Sequence, residues 1–102
     1  MGVKNVDIAT KEYCDGMIIV KDYSCGSVSI ASGNTYSNKQ ALSQFDIEGY
    51  TRMAWTPYTT LQNYATIGLS FIDSNVYINV RNNYSSALTF QIRLSIAYVR
   101  TV

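Results

Sequence analysis

Two carboxylates stand two positions apart near the middle of the chain, at Asp46 and Glu48. Segment 40–48 alternates apolar and polar residues, which predicts a β-strand. On such a strand the two side chains share a face with their Cα atoms about 7 Å apart, a spacing compatible with a glycosidase pair or an oxygen-ligand cation site. We favour the alternative, a solvated outer face, because no further ligand residues follow at a recognisable spacing.

A second group of candidates combines tyrosines with neighbouring amides in predicted loops. Sugar rings present both apolar C–H faces and hydroxyl groups, so an aromatic ring beside an amide suits a saccharide. The same residue types are common in ordinary loops, and the sequence leaves both interpretations open. The candidate glycan contacts are Tyr58, Asn63, Tyr64, Asn82, Asn83 and Tyr84.

The single tryptophan, Trp55, could offer a sugar-stacking platform or fill the core. It shares its strand parity with Met53, which favours the core.

Composition excludes several classes of function. The chain has no histidine, so neither a Ser-His-Asp triad nor a histidine-containing zinc site can be built from it. Eight basic residues against seven acidic ones give a net charge of +1, without the basic footprint of a nucleic-acid partner. No apolar run reaches the length of a bilayer span, so we expect no membrane insertion. We expect neither an enzyme nor a cofactor or metal site.

The two cysteines, Cys14 and Cys25, could close a short disulfide loop or stay as small buried thiols. We favour thiols, because one pair without a signal peptide is weak evidence for an oxidising compartment.

The elements that position these residues are strands. The most regular lies at 88–98, where apolar residues fill every second position, and 65–72 with 75–82 predict a hairpin. We expect sequential antiparallel pairing from 65 to 98. Weaker candidates lie at 3–13, 17–21, 24–31, 40–48 and 50–58, and no segment predicts more than a single helical turn.

The chain has 102 residues, close to the common size of one domain, so we expect a single domain spanning residues 1–102. We expect an all-β fold, an antiparallel β-sandwich of seven or eight short strands, with residues 1–23 as an N-terminal arm or edge strand. The predicted core is Phe45, Ile47, Met53, Trp55, Ile67, Leu69, Phe71, Val76, Ile78, Val80, Phe90, Ile92, Leu94 and Ile96.

The polar face of the last strand, with Gln91, Arg93 and Ser95, either meets water or forms a subunit contact. The low charged content, 15%, favours a contact in which Arg93 reaches a neighbour's Asp46 or Glu48.

The order of these signals resembles a known group of proteins. A strand ending in Gly49-Tyr50, an apolar strand, a hairpin ending in Arg81-Asn82-Asn83 and the closing strand 89–98 are similar to the C-terminal head domains of phage and prophage tail fibres, receptor-binding proteins and minor tail structural proteins. The strand order is also similar to that of H-type lectins, though their binding signature is not seen.

The resemblance implies a homotrimeric, non-enzymatic β-sandwich at the tip of a virion tail, made in the bacterial cytoplasm. Its implied partners are a bacterial surface polysaccharide and other tail proteins. The alternative is a purely structural tail or assembly module that binds other subunits.

Overall fold

The computed structural model describes residues 18–101, which form antiparallel β-strands joined by short connections. The six strands are β1 (Ile18–Ile30), β2 (Thr35–Ala41), β3 (Tyr50–Thr59), β4 (Ala65–Ile72), β5 (Asn75–Asn82) and β6 (Leu88–Arg100). Single 3₁₀ turns occupy Leu42–Phe45 and Gln62–Tyr64. Within residues 18–101, no helix has the length and apolar character needed to cross a membrane.

The strands form two three-stranded sheets packed face to face as a sandwich, which confirms the predicted fold class. Sheet A has the order β1-β6-β3, and sheet B has the order β2-β5-β4. The described strands number six, and the candidate strand at 3–13 lies outside the described residues.

Strand β6 is the centre of sheet A and shows the clearest alternation in the molecule. Its side chains from Phe90 to Tyr98 at even positions are 0% exposed, whereas Thr89 and Gln91 are exposed on the opposite face. Each fully buried apolar side chain of this size contributes roughly 1.5 to 3 kcal/mol, so this row is a major source of stability. The prediction for this strand is confirmed.

Strand β5 has the same role in sheet B, with Val76, Ile78 and Val80 fully buried. Two predicted core residues are wrong, because Met53 is 53% exposed and Phe71 is 52% exposed. Met53 lies where the register of β3 shifts between Arg52 and Ala54. Phe71 lies near the end of β4, an edge strand of its sheet. The buried apolar core is Ile30, Phe45, Val76, Ile78, Val80, Phe90, Ile92, Leu94, Ile96 and Tyr98.

The predicted pairing of consecutive strands holds only for the hairpin of β4 and β5. Strands β5 and β6 belong to different sheets, so sequential pairing through to Tyr98 is wrong. Loop 83–87 instead carries the chain from one sheet to the other, and the two apolar faces then meet inside the sandwich. Segments 17–21 and 24–31 were expected as separate strands, but from Ile18 onward they form the continuous β1, with a register shift between Ser24 and Ser27.

The predicted strand at 40–48 is also wrong. Strand β2 ends at Ala41, and the chain then leaves sheet B through the 3₁₀ turn Leu42–Phe45 to reach β3 in sheet A. Phe45 is 2% exposed and anchors this crossing in the core. The expected strand face shared by Asp46 and Glu48 is therefore absent.

Candidate functional site

Three connections meet at one end of the sandwich, which we call the loop end: residues 31–34, 60–64 and 83–87. The Gly33 amide donates to the Asn82 carbonyl over 2.8 Å, and the Asn83 amide donates to the Tyr64 carbonyl over 2.8 Å. The Ser32 hydroxyl donates to the Tyr84 carbonyl over 2.6 Å. These bonds hold the three connections together.

Tyr64 and Tyr84 form an exposed aromatic pair at the loop end. Their ring centroids are 4.7 Å apart with the planes tilted by 56°, and the residues are 42% and 40% exposed. Rings at this separation stabilise each other's position. The pair therefore offers solvent an ordered aromatic surface.

The predicted asparagines have different roles around this pair. Asn83 is exposed, and its side-chain amide donates to Thr66 Oγ1 over 2.7 Å, while Asn63 is also exposed. Asn82 is 0% exposed. It donates to the carbonyls of Ile30 and Ser86 and accepts from the Tyr84 amide, so it positions the loop from beneath.

Tyr58 does not belong to the loops. It lies within β3, directly opposite Arg93 of β6. Because Thr59 and Ile92 next to them are buried, Tyr58 and Arg93 point away from sheet B. Tyr58 therefore lies on the outward face of sheet A and does not join the aromatic pair of Tyr64 and Tyr84.

The outward face of sheet A carries the other candidate residues. Gln91 is exposed, whereas Arg93 and Ser95 are half-buried on this face. Arg93 lies between Ser24 of β1 and Tyr58 of β3. In the described part of the chain Arg93 forms no ion pair.

The same face becomes apolar towards the end where β1 begins. Ile18 and Val20 of β1 lie opposite Val99 and Ala97 of β6, and are 47% and 62% exposed. Exposed apolar side chains grouped in this way are typical of a contact surface.

Asp46 forms an ion pair with Arg52, and Glu48 takes no part in it. The Arg52 guanidinium also donates to the Leu42 carbonyl over 2.8 Å and lies 5.7 Å from the centre of the Trp55 ring. Together with Tyr50 and Thr51, the pair Asp46 and Arg52 lines a pocket of about 230 Å³. The Asp46 carboxylate therefore pairs with Arg52 beside the segment that passes from sheet B to sheet A, and it does not share a strand face with Glu48.

Trp55 is half-buried at the margin of the core. Its ring makes edge contacts with Phe45, at 5.9 Å between centroids, and with Phe71, at 5.2 Å. This placement agrees with the interpretation of Trp55 as a packing residue.

Two titratable groups, the buried Tyr98 and the half-buried Cys25, lie away from these surfaces. The Tyr98 hydroxyl donates to the Phe45 carbonyl over 2.6 Å and lies 2.6 Å from the Tyr23 hydroxyl. Burial, reinforced by the hydrogen bond with Tyr23, raises the pKa of Tyr98 above its usual value of 10.0. Burial also raises the pKa of the Cys25 thiol, while Cys14 and any pairing with it lie outside the described residues.

The outward face of sheet B carries further polar residues that were not predicted as a site from the sequence. Strand β5 turns Tyr77, Asn79 and Arg81 towards solvent there. Their alternation with Val76, Ile78 and Val80 was visible in the sequence, but only the register shows which residues of β2 and β4 lie beside them.

Comparisons with known proteins supply no family for this chain. No family model matches it, and neither the curated proteins nor the solved structures contain a significant match.

Proposed function

We propose that this chain is a non-enzymatic glycan-binding domain whose loop end contacts a bacterial cell-surface polysaccharide. The observation that carries the proposal is the exposed pair of rings, Tyr64 and Tyr84, 4.7 Å apart. A sugar ring can lie with its C–H face on these rings while Asn63 and Asn83 exchange hydrogen bonds with its hydroxyl groups.

The loop end is well separated from the opposite end of the sandwich, where Ile18 lies opposite Val99. The loop end lies at Leu88, the other end of the 13-residue β6, about 40 Å away. The resemblance to tail-fibre head domains supports a domain at a phage tail tip, and in this proposal the loops point outward.

We further propose that the domain is a homotrimer whose subunits meet along the outward face of sheet A. The half-buried Arg93 without an ion pair in the described chain and the exposed Ile18 and Val20 support this contact. Light scattering should give a mass three times that of the chain. Arg93→Glu should shift the protein to monomer, with Arg100→Glu as the control; a wild-type monomer at micromolar concentration rejects the trimer.

Binding to an array of bacterial surface polysaccharides tests the glycan proposal. Tyr64→Ala and Tyr84→Ala should each weaken binding about tenfold, the equivalent of one lost aromatic contact. Phe71→Ala is the control, because Phe71 is an aromatic residue that is 52% exposed but lies near the end of β4 that is away from the loop end. Undiminished binding by both loop variants, or no binding by the folded wild type, contradicts the proposal.

The second candidate is a structural tail module that binds other subunits. The exposed apolar residues Ile18 and Val20 favour it, since a tail protein could cover them as well as a second copy could. In that case Val20→Glu should abolish co-purification with the other tail proteins, whereas Tyr64→Ala and Tyr84→Ala should leave the function of the tail intact.

A further inference from the structure

The outward face of sheet B is an ordered grid of polar side chains centred on β5. The register places each outward residue of β5 between one residue of β2 and one of β4. Across the sheet, the rows through Tyr77, Asn79 and Arg81 are Lys39-Tyr77-Ser70, Ser37-Asn79-Gly68 and Thr35-Arg81-Thr66, and a fourth row, Ala41-Asn75-Ile72, lies at the end away from the loops.

Hydrogen bonds fix the middle of this grid. The Ser37 hydroxyl donates to Asn79 Oδ1 over 2.7 Å, and Asn79 Nδ2 donates to Ser70 Oγ over 2.9 Å. The Asn79 amide therefore has a defined orientation across three strands. Hydroxyl and amide groups held in this way suit a ligand that is itself rich in hydroxyl groups.

The charged residues on the outward face of sheet B are all basic. Lys39 and Arg81 both point outward here, and no outward residue of β2, β4 or β5 is acidic. The closest carboxylate along these strands, Asp73, lies in the turn beyond Ile72. The backbone positions of the two cations are about 14 Å apart along the sheet, a spacing that suits a ligand made of several units. Positive charge without a fixed counter-charge is complementary to an anionic ligand.

Gly68 gives an independent indication of close approach. It lies in the interior of β4, where glycine weakens a strand, and a Cβ added to it would have no heavy atom within 4 Å. Its backbone is outside the left-handed region that favours glycine. Neither packing nor backbone conformation within the described chain requires glycine here, and the missing side chain leaves the surface over β4 open to close approach by another molecule.

This face is continuous with the loop end. Asn83 of the loop end donates its side-chain amide to Thr66 in the outermost row of the grid. A polymer lying on Tyr64 and Tyr84 can therefore continue onto β5 without leaving the protein surface.

We propose that the outward face of sheet B binds an acidic polysaccharide, with Lys39 and Arg81 contacting its anionic groups and a sugar unit lying over Gly68. This inference rests on the proposed function, because it extends the glycan surface of the loop end and specifies a charged ligand. A nucleic acid fits less well, since the face has only these two cations and the chain has a net charge of +1.

Matched polymers test the proposal with the full chain. Polygalacturonate and its methyl ester share a backbone and differ in charge, and a glycerol-phosphate teichoic acid supplies phosphate in place of carboxylate. Binding to at least one of the two polyanions should be at least tenfold tighter than to the ester and should weaken as salt rises. Preference for one polyanion identifies the anionic group.

Variants separate this face from the loop end. Arg81→Gln and Lys39→Gln should each weaken polyanion binding about fivefold, with Arg100→Gln as the charge control. Gly68→Ala should weaken it at least fivefold while the melting temperature stays equal or rises, a result that a purely structural glycine would not give.

Two results overturn the inference. One is that neither polygalacturonate nor the teichoic acid binds more tightly than the methyl ester. The other is unchanged polyanion binding by Gly68→Ala, Lys39→Gln and Arg81→Gln. In either case, binding of a neutral glycan that Tyr64→Ala or Tyr84→Ala weakens would still support the proposed function, so the two failures are distinguishable.

Discussion

Removing the hydroxyl of Tyr98 tests how much the buried hydrogen bond from Tyr98 to the Phe45 carbonyl contributes to stability. The single hydroxyl proton of Tyr98 is donated to the Phe45 carbonyl, so Tyr23 must donate to Tyr98. Tyr98 is 0% exposed and Phe45 is 2% exposed. In Tyr98→Phe the Phe45 carbonyl loses this partner where water has little access, at a cost of about 1 to 3 kcal/mol. The half-buried Tyr23 hydroxyl can turn to water.

Urea unfolding measures this cost. For an expected loss of about 2 kcal/mol and an m-value of about 2 kcal/mol/M, the midpoint should fall by about 1 M. Tyr23→Phe is the matched control, because it leaves the bond from Tyr98 to Phe45 intact, and it should cost less than about 1 kcal/mol. A midpoint unchanged in Tyr98→Phe, or lowered equally in both variants, refutes the reasoning.

The pH dependence of stability tests the burial of the Tyr98 hydroxyl independently. Because the folded-state pKa of Tyr98 is raised above 10.0, the stability it provides is complete below pH 10 and is lost as the pH rises further. The unfolding free energy of the wild type should therefore fall by about 1.4 kcal/mol more than that of Tyr98→Phe by pH 11. Parallel pH profiles of the two proteins contradict this assignment.

The remaining predictions concern Asn82 and Asp46. Asn82→Ala removes the partners of three backbone groups and should cost about 2 to 3 kcal/mol in urea unfolding, against less than about 1 kcal/mol for the exposed Asn83→Ala; equal costs would contradict the role of Asn82 beneath the loop. Asp46→Asn breaks an ion pair whose side chains are 65% and 28% exposed, so its cost should stay below about 1 kcal/mol, with Glu48→Gln as the control. A loss above about 2 kcal/mol would show that the pair is more than a surface contact, and release of reducing sugar that disappears in Asp46→Asn would reopen the enzymatic alternative.

Much of the fold could be predicted because alternation is a local property. The rows in β5 and β6 showed their buried faces directly, since every second side chain of a half-buried strand must be apolar. The 3₁₀ turn at Leu42–Phe45 could not be predicted in the same way, because residues 44–48, which overlap its end, alternate between polar and apolar as in a strand. Burial of Phe45 where the chain crosses between sheets decides its conformation.

The candidate site was likewise predictable only in part. The sequence by itself determined the residue types, an all-β architecture and the tyrosines and amides of the loops. Only the tertiary structure decided that Tyr64 meets Tyr84, that Asn82 lies beneath them, that Tyr58 faces away with Arg93, and that Gly68 lies beside Asn79 on one cationic face. The physical reason is that each strand pattern specifies which face is buried, whereas partners across the sheet depend on register and on which sheet receives the strand.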